Sequence, residues 1–257
     1  MRVNSIKTHK ISSRDNNLFA ILDRYLLGLR ERSVVVITSK IVSICEGRVI
    51  KIGTVDKDEL VRREAEYFLP KETNRYQFFL TIKNGILCPT AGIDESNGNG
   101  YYILWPENPQ KTANEVRAYL SKKFSLKRVG VIITDSKTTP LRWGVTGTAL
   151  AHSGFSALND YRGKKDIFGR ILKVTQVNAM DALASAAVLV MGEGREQTPL
   201  ALIEDVPFVK FQNRNPTKQE LKNLRIDIKE DIYSSLLTSV KWKKGEKAWK
   251  PSRFERT

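Results

Sequence analysis

Val129-Gly130-Val131-Ile132-Ile133-Thr134-Asp135-Ser136 is an apolar, largely β-branched run that turns polar at its C-terminal end. Branched side chains pack well on a pleated surface, so the run predicts a buried strand over 129–134. Its polar end then emerges where a sheet edge commonly presents chemistry. Two further acidic clusters stand next to apolar runs: Ala91-Gly92-Ile93-Asp94-Glu95-Ser96-Asn97 and Met191-Gly192-Glu193-Gly194. Carboxylates and a hydroxyl at such positions can supply the oxygen shell that hard divalent cations prefer. Taken singly, each has an ordinary reading, because Asp ends strands and caps turns for local reasons.

Outward from that strand, the pattern alternates between helical and extended segments. Asp15-Asn16-Asn17 offers capping side chains before Leu18, Ile21, Leu22, Tyr25, Leu26 and Leu29, which predicts a helix over 17–29. Residues 34–38 read as a buried strand leading into Ser39-Lys40, and 42–52 as a second strand crossed by Glu46-Gly47-Arg48. A charged helix is expected over 56–68 and strands over 76–82 and 101–105. Asn84-Gly85 signals a tight turn, and Asn97-Gly98-Asn99-Gly100 excludes regular structure. Helices are expected over 112–124 and over 178–191, where Gly192 ends the second, followed by a strand over 198–203. Beyond about Phe211, Lys and Arg become frequent and two short helices are expected. Trp242 and Trp249 are seven apart in a basic tail, which predicts one helical face that docks on the parent domain or a second subunit.

The chain has 257 residues and a formal net charge of +15. Such a balance points to anionic partners: nucleic acid, a nucleoside triphosphate or a polycarboxylate acceptor. A lysine-rich proteome is the bland alternative. No apolar stretch approaches a membrane span, and the N-terminus lacks the apolar core of a secretion signal, so a cytoplasmic location is expected. Cys45 and Cys88 sit in apolar contexts and read as free thiols. The two histidines, His9 and His152, argue against a zinc hydrolase or a His relay, and His152 among small residues reads as a packed polar group. No P-loop is present, so a bound nucleotide would be held by other means.

Several segments recur together, in order and spacing, over 34–206. They are Glu46-Gly47-Arg48, Ala91-Gly92-Ile93-Asp94 with Ser96-Asn97, and Gly130-Val131-Ile132-Ile133-Thr134-Asp135. Arg142 with Gly144, Gly154, Lys165-Asp166 with Gly169-Arg170, and Met191-Gly192-Glu193-Gly194 complete the set. The set resembles the γ-glutamyl ligases that extend coenzyme F420, a deazaflavin, with glutamate. A close branch of that superfamily is thought to act on folates. The resemblance implies an α+β fold with mixed, largely antiparallel sheets and packed helices, not a P-loop or Rossmann fold. It also implies an intertwined homodimer with the site near the subunit interface. A ligase-like domain is expected over 1–211, in one or two subdomains, with a basic extension over 212–257.

The implied reaction activates an acceptor carboxylate with a nucleoside triphosphate, GTP by family expectation and ATP as the alternative, and joins it to L-glutamate. Phosphoryl transfer demands charge neutralisation more than a protein nucleophile, which two Mg²⁺ or Mn²⁺ ions would supply. By position, Asp94, Asp135, Ser136 and Glu193 resemble the metal ligands, the three acids being the catalytic set. Thr38, Ser39, Lys40 and Asn97 resemble nucleotide contacts. Arg142, Lys165 and Arg170 would clamp phosphate or the carboxylates of an anionic pterin or deazaflavin acceptor.

The chain also departs from the family pattern. Ile44 stands where many members carry lysine, and Lys40 is the nearest substitute. Thr8-His9-Lys10-Ile11 replaces a Gly-Leu-Pro-like loop, and 136–141 lacks the usual Asn-Gly. Two other readings stay open: a nucleic-acid-binding protein that reuses the scaffold, with Trp242, Trp249 and Phe254 as stacking groups, and a degenerate homologue that only binds nucleotide.

Overall fold

The computed structural model describes residues 1–246. In chain order the elements are β1 (Arg2–Ile6), α1 (Leu18–Tyr25), β2 (Ser33–Thr38), α2 (Ser39–Glu46), β3 (Val49–Lys51), α3 (Lys57–Glu64) and β4 (Tyr67–Leu69). Then come β5 (Leu80–Lys83), β6 (Ile86–Pro89), β7 (Tyr101–Ile103), α4 (Pro109–Lys123), β8 (Val129–Thr138) and β9 (Val145–Ser153). The chain continues with β10 (Leu158–Asp160), β11 (Gln176–Asn178), α5 (Ala179–Met191), β12 (Leu200–Glu204), α6 (Lys218–Lys222), α7 (Ser234–Thr238) and β13 (Lys243–Lys244).

Five strands form the main sheet in the order β1-β12-β2-β8-β9. The β2–β8 pair is parallel, and every other strand pair among the described residues is antiparallel. Residues alternate cleanly through this sheet. Val35, Ile37, Val131 and Ile133 face α1 and α4, whereas Val34, Val36 and Ile132 face α5. Both faces are therefore covered, which is why these strands read as continuous apolar runs. Between Ile133 and Thr134 the β8–β9 register slips, leaving Leu150 of β9 without an opposite residue. This β-bulge lies one residue before Asp135.

A smaller lobe joins the four-stranded sheet β13-β4-β5-β6 and the β3–β7 pair to α3. Its core holds Ile50, Leu60, Val61, Phe68, Phe79, Ile93, Tyr102 and Leu104. Beside that core lies an ion cluster. Arg48 Nη2 donates to both oxygens of Glu64 at 2.9 and 2.8 Å, and Lys83 Nζ donates to Glu64 Oε2 at 2.6 Å. The three side chains are 11%, 5% and 9% exposed respectively.

The expected α+β character and largely antiparallel pairing are present, with local corrections. The segment expected as one strand over 42–52 is instead α2, a left-handed Gly47 and then β3. Arg48 N bonds back to Ser43 O at 2.8 Å and Gly47 N to Ile44 O at 3.1 Å, a Schellman-type stop. The charged helix ends at Glu64 and the chain runs into β4, because Tyr67 to Leu69 pair with β5. Residues 76–79 are irregular, so the strand expected over 76–82 begins only at Leu80. The first helix stops at Tyr25, under the Asn17 cap that accepts from Ala20 N. The helix expected in the tail is corrected for its described part. Lys243–Lys244 add an edge strand to β4, and Gly245 N and Glu246 N bond to Glu66 O and Arg62 O at 2.9 and 3.0 Å. Trp249 and Phe254 lie outside the described residues.

Both cysteines are free, Cys88 buried and Cys45 half-buried. Burial pushes their thiols up, to about 11 and about 12. No helix among the described residues is long and apolar enough to cross a membrane.

Candidate functional site

The two lobes meet around a cleft of about 580 Å³. Its walls come from five separate places in the chain: Thr8–Ser12, the start of α2, the Asp94–Asn99 loop, the polar end of β8, and the turn after α5 through Pro199. Thr38, Lys40, Asp94, Asn97, Asp135, Ser136 and Glu193 all line it.

Lys40 is the electrostatic centre. It sits in the first turn of α2, and its ammonium lies 2.7 Å from Asp94 Oδ2 and 3.0 Å from Ser96 O and Oγ. The Asp94 loop closes on itself, with Ser96 N and Oγ donating to the two carboxylate oxygens at 2.7 and 2.9 Å. Burial would raise the Asp94 carboxyl, but Lys40 and the Ser96 donors hold it below its ordinary value. Burial raises Asp135 to about 6; the Trp105 indole and the nearby Ser136 N–H and Lys40 oppose this, and the Asp94 charge adds to it. Burial also raises Glu193, against Ser136 and Lys40 and with Asp94 and Glu196. Lys40 thus acts on all three carboxylates, and the Asp94 charge pushes on the other two.

Two contacts tie the walls together. Asn97 Nδ2 donates to Gly194 O at 2.9 Å, joining the Asp94 loop to the turn after α5. Ser136 Oγ donates to Glu193 Oε2 at 3.4 Å. The helical form of 39–46 has a direct consequence for Ile44. Lys40 and Ile44 are i and i+4 on α2, hence neighbours on one face, and both line the cleft. A lysine at either position would serve the same space.

Ser39 is buried at the start of α2 and does not line the cleft. Arg142, Lys165 and Arg170 are exposed on the long connections around β9 to β11, and they do not line it either. Exposed apolar residues accompany them: Leu141, Trp143, Ile167, Phe168 and Val174. Among the described residues no group of three or more His, Cys, Asp or Glu side chains is close enough to hold one metal ion. The donor set suits a hard cation chemically, but Lys40 occupies Asp94 and the oxygens are paired rather than clustered.

Thr8-His9-Lys10-Ile11, the departure from the family's N-terminal loop, lies in the cleft wall, and Ser12 extends it. His9 lines the cleft with both ring nitrogens engaged, Nδ1 with Tyr25 OH and Nε2 with Asp15 Oδ1, each at 2.8 Å. Asp15 was read as a helix-capping residue, and only the fold brings it to His9. Arg195 and Gln197 also line the cleft, and nothing in their local sequence signals it.

Comparison with known proteins bears on this arrangement. The family model described as "F420-0:Gamma-glutamyl ligase" matches residues 5–205. A coenzyme F420:L-glutamate ligase of Methanopyrus kandleri is 39% identical over 193 residues, which cover 68% of this chain and 75% of that protein. The Methanocaldococcus jannaschii enzyme of the same name is 34% identical over 221 residues, covering 77% and 86%. One from Methanococcus maripaludis is 35% identical over 210 residues, covering 76% and 84%.

Proposed function

This chain belongs to the F420-0:γ-glutamyl ligase family, and from that premise we propose that it joins L-glutamate to a carboxylate acceptor of the coenzyme F420-0 or folate type. The acceptor carboxylate attacks the γ-phosphorus of a nucleoside triphosphate, GTP by family expectation, and a nucleoside diphosphate leaves. The glutamate amine then attacks the acyl carbon of the resulting acyl phosphate. Inorganic phosphate departs, and the amine proton goes to solvent.

Asp94, Asp135, Ser136 and Glu193 would hold Mg²⁺ or Mn²⁺, which supplies charge neutralisation at the β- and γ-phosphates when bound. Lys40 offers a point charge to phosphate, and Thr38 and Asn97 offer polar groups beside it. The cleft volume lies within the range of small-molecule sites. The convergence of seven expected site residues, four of them from the recurring motifs, on one cleft carries this reading.

A homodimer accounts for the remaining motif residues. Arg142, Lys165 and Arg170 stand among exposed Leu141, Trp143, Ile167 and Phe168. A second copy would cover those apolar groups and bring the cations toward its own cleft.

Full-length protein with GTP, Mn²⁺, labelled glutamate and either acceptor provides the test. Glutamate transfer to one acceptor is expected, with nucleoside diphosphate released in equal amount. Asp135→Asn should abolish metal-dependent turnover while leaving the melting temperature near that of the parent. No transfer to either acceptor, or full turnover in Asp135→Asn, would sink the proposal.

A further inference from the structure

Trp105 links the two acidic segments of the cleft through one ring. It follows β7, is 2% exposed, and its Nε1 donates to Asp135 Oδ2. An indole nitrogen is a donor only, so this contact is specific for an acceptor oxygen. The same Nε1 edge of the ring lies against the turn that leads to Asp94. A Cβ built at Gly92 would fall 2.1 Å from Trp105 Nε1 and 2.2 Å from Cε2. Gly92 also has φ +70°, so backbone and ring both demand glycine there. The motif glycine two residues before Asp94 is thus the slot through which the indole reaches Asp135.

The ring is held from behind by the ion cluster of the smaller lobe. Lys83 Nζ lies 5.3 Å from its centroid and donates to Ala91 O at 3.3 Å. Arg48 Nε donates to the Trp105 carbonyl at 3.2 Å. Both cations meet on Glu64, so indole, turn and cluster form one buried unit.

We propose that Trp105 is a positioning residue: its indole fixes the Asp135 carboxylate relative to the Asp94 turn and so sets the affinity of the cleft for a divalent cation. This rests on the reading of Asp135 as a metal ligand. A cation such as Mg²⁺ demands near-ideal octahedral geometry, and a carboxylate free to rotate meets that demand at an entropic cost.

The test titrates Mn²⁺ into full-length parent protein, Trp105→Phe and Asp135→Asn, reading free Mn²⁺ by electron paramagnetic resonance. Trp105→Phe keeps an aromatic ring and loses the donor. Its Mn²⁺ affinity should fall by about tenfold or more, the size of effect seen when a ligand's hydrogen-bond partner is removed. Asp135→Asn should fall further. Unchanged affinity in Trp105→Phe with loss in Asp135→Asn overturns the positioning role and leaves the metal reading intact. Unchanged affinity in Asp135→Asn overturns both. If Trp105→Phe does not fold, the parent protein still decides through the nitrogen-15 signals of its indole groups. A buried indole resonance that moves in Asp135→Asn supports the proposal, and a set of indole resonances that stays put overturns it.

Discussion

The two lobes that frame the cleft are held together by different chemistry. Between its sheet and helices the larger lobe buries apolar side chains together with hydroxyls, an amide and the His152 imidazole. The smaller one keeps Arg48, Glu64 and Lys83 within its interior. Loss of a methyl group in an apolar core is partly absorbed by relaxation of its neighbours. Loss of one member of a buried ion cluster leaves the others charged, dry and unpaired. The smaller lobe is therefore the more brittle, and it carries the turn and the indole that reach the acidic site.

Glu64→Ala should give the largest effect, because it strands two cations at once. Breaking such a buried pair costs about 3–5 kcal/mol. Denaturant unfolding of this variant against Ile132→Val, a truncation in the larger lobe expected to cost about 1 kcal/mol, measures the contrast directly. Equal costs would erase the distinction between the lobes.

Acid should separate the lobes by pH window. Burial lowers the His152 imidazole from 6.5 to about 4, so the unfolded chain binds its proton first. Its contribution is complete above pH 6.5 and declines as the pH falls toward 4, by roughly 3 kcal/mol in all. Glu64 behaves differently: burial would raise it, but Lys83 and Arg48 hold it below its ordinary 4.5. Its contribution is present above pH 4.5 and is lost only as the pH falls through its lowered value. Amide exchange against pH should show the main sheet loosening first. His152→Gln should remove the loss between pH 6.5 and 4 and leave the lower one.

The smallest effect is expected from truncation before Lys241. It uncovers the edge of β4 and removes two backbone bonds from Gly245 and Glu246. At about 1 kcal/mol net for each bond, the melting temperature should drop by a few degrees while ligase chemistry persists. Trp242 Nε1 already donates to Leu237 O at 2.7 Å, which engages its donor within the protein. An unchanged melting temperature would show that this edge strand adds nothing to the smaller lobe.

Legibility in the sequence did not follow the same divide. The 129–134 strand and the Asn178-capped helix ending at Gly192 were readable, because period and caps agree with burial on both faces. The 39–46 helix was misread because Ile41, Val42 and Ile44 are branched or apolar and suggest a strand. Packing beside α1 and β2 overrides that local preference, and Gly47 was the available stop signal. In the site, the motif residues announced Asp94, Asp135 and Glu193 but not the bonds among them. Lys40 with Asp94, Trp105 with Asp135 and His9 with Asp15 are juxtapositions that no local spacing encodes.

The extra residue at Leu150 gives β9 something like a reading frame. Above it, Ala151 shares a core with Val131 and Ile133; below it, Ala149 belongs with the α5 core. The slip also brings Gly147 so close to α5 that a Cβ there would lie 2.3 Å from Ala184 O, and Ser185 Oγ bonds to Gly147 O at 2.8 Å. Deleting Leu150 would make Ala149 and Ala151 consecutive on opposite faces, so the pairing would become regular and each half of the strand would keep its present face. Leu150 is thus the one residue of the segment from 147 to 153 that the strand can lose without moving another from its face, and the loss would cost only the local kink.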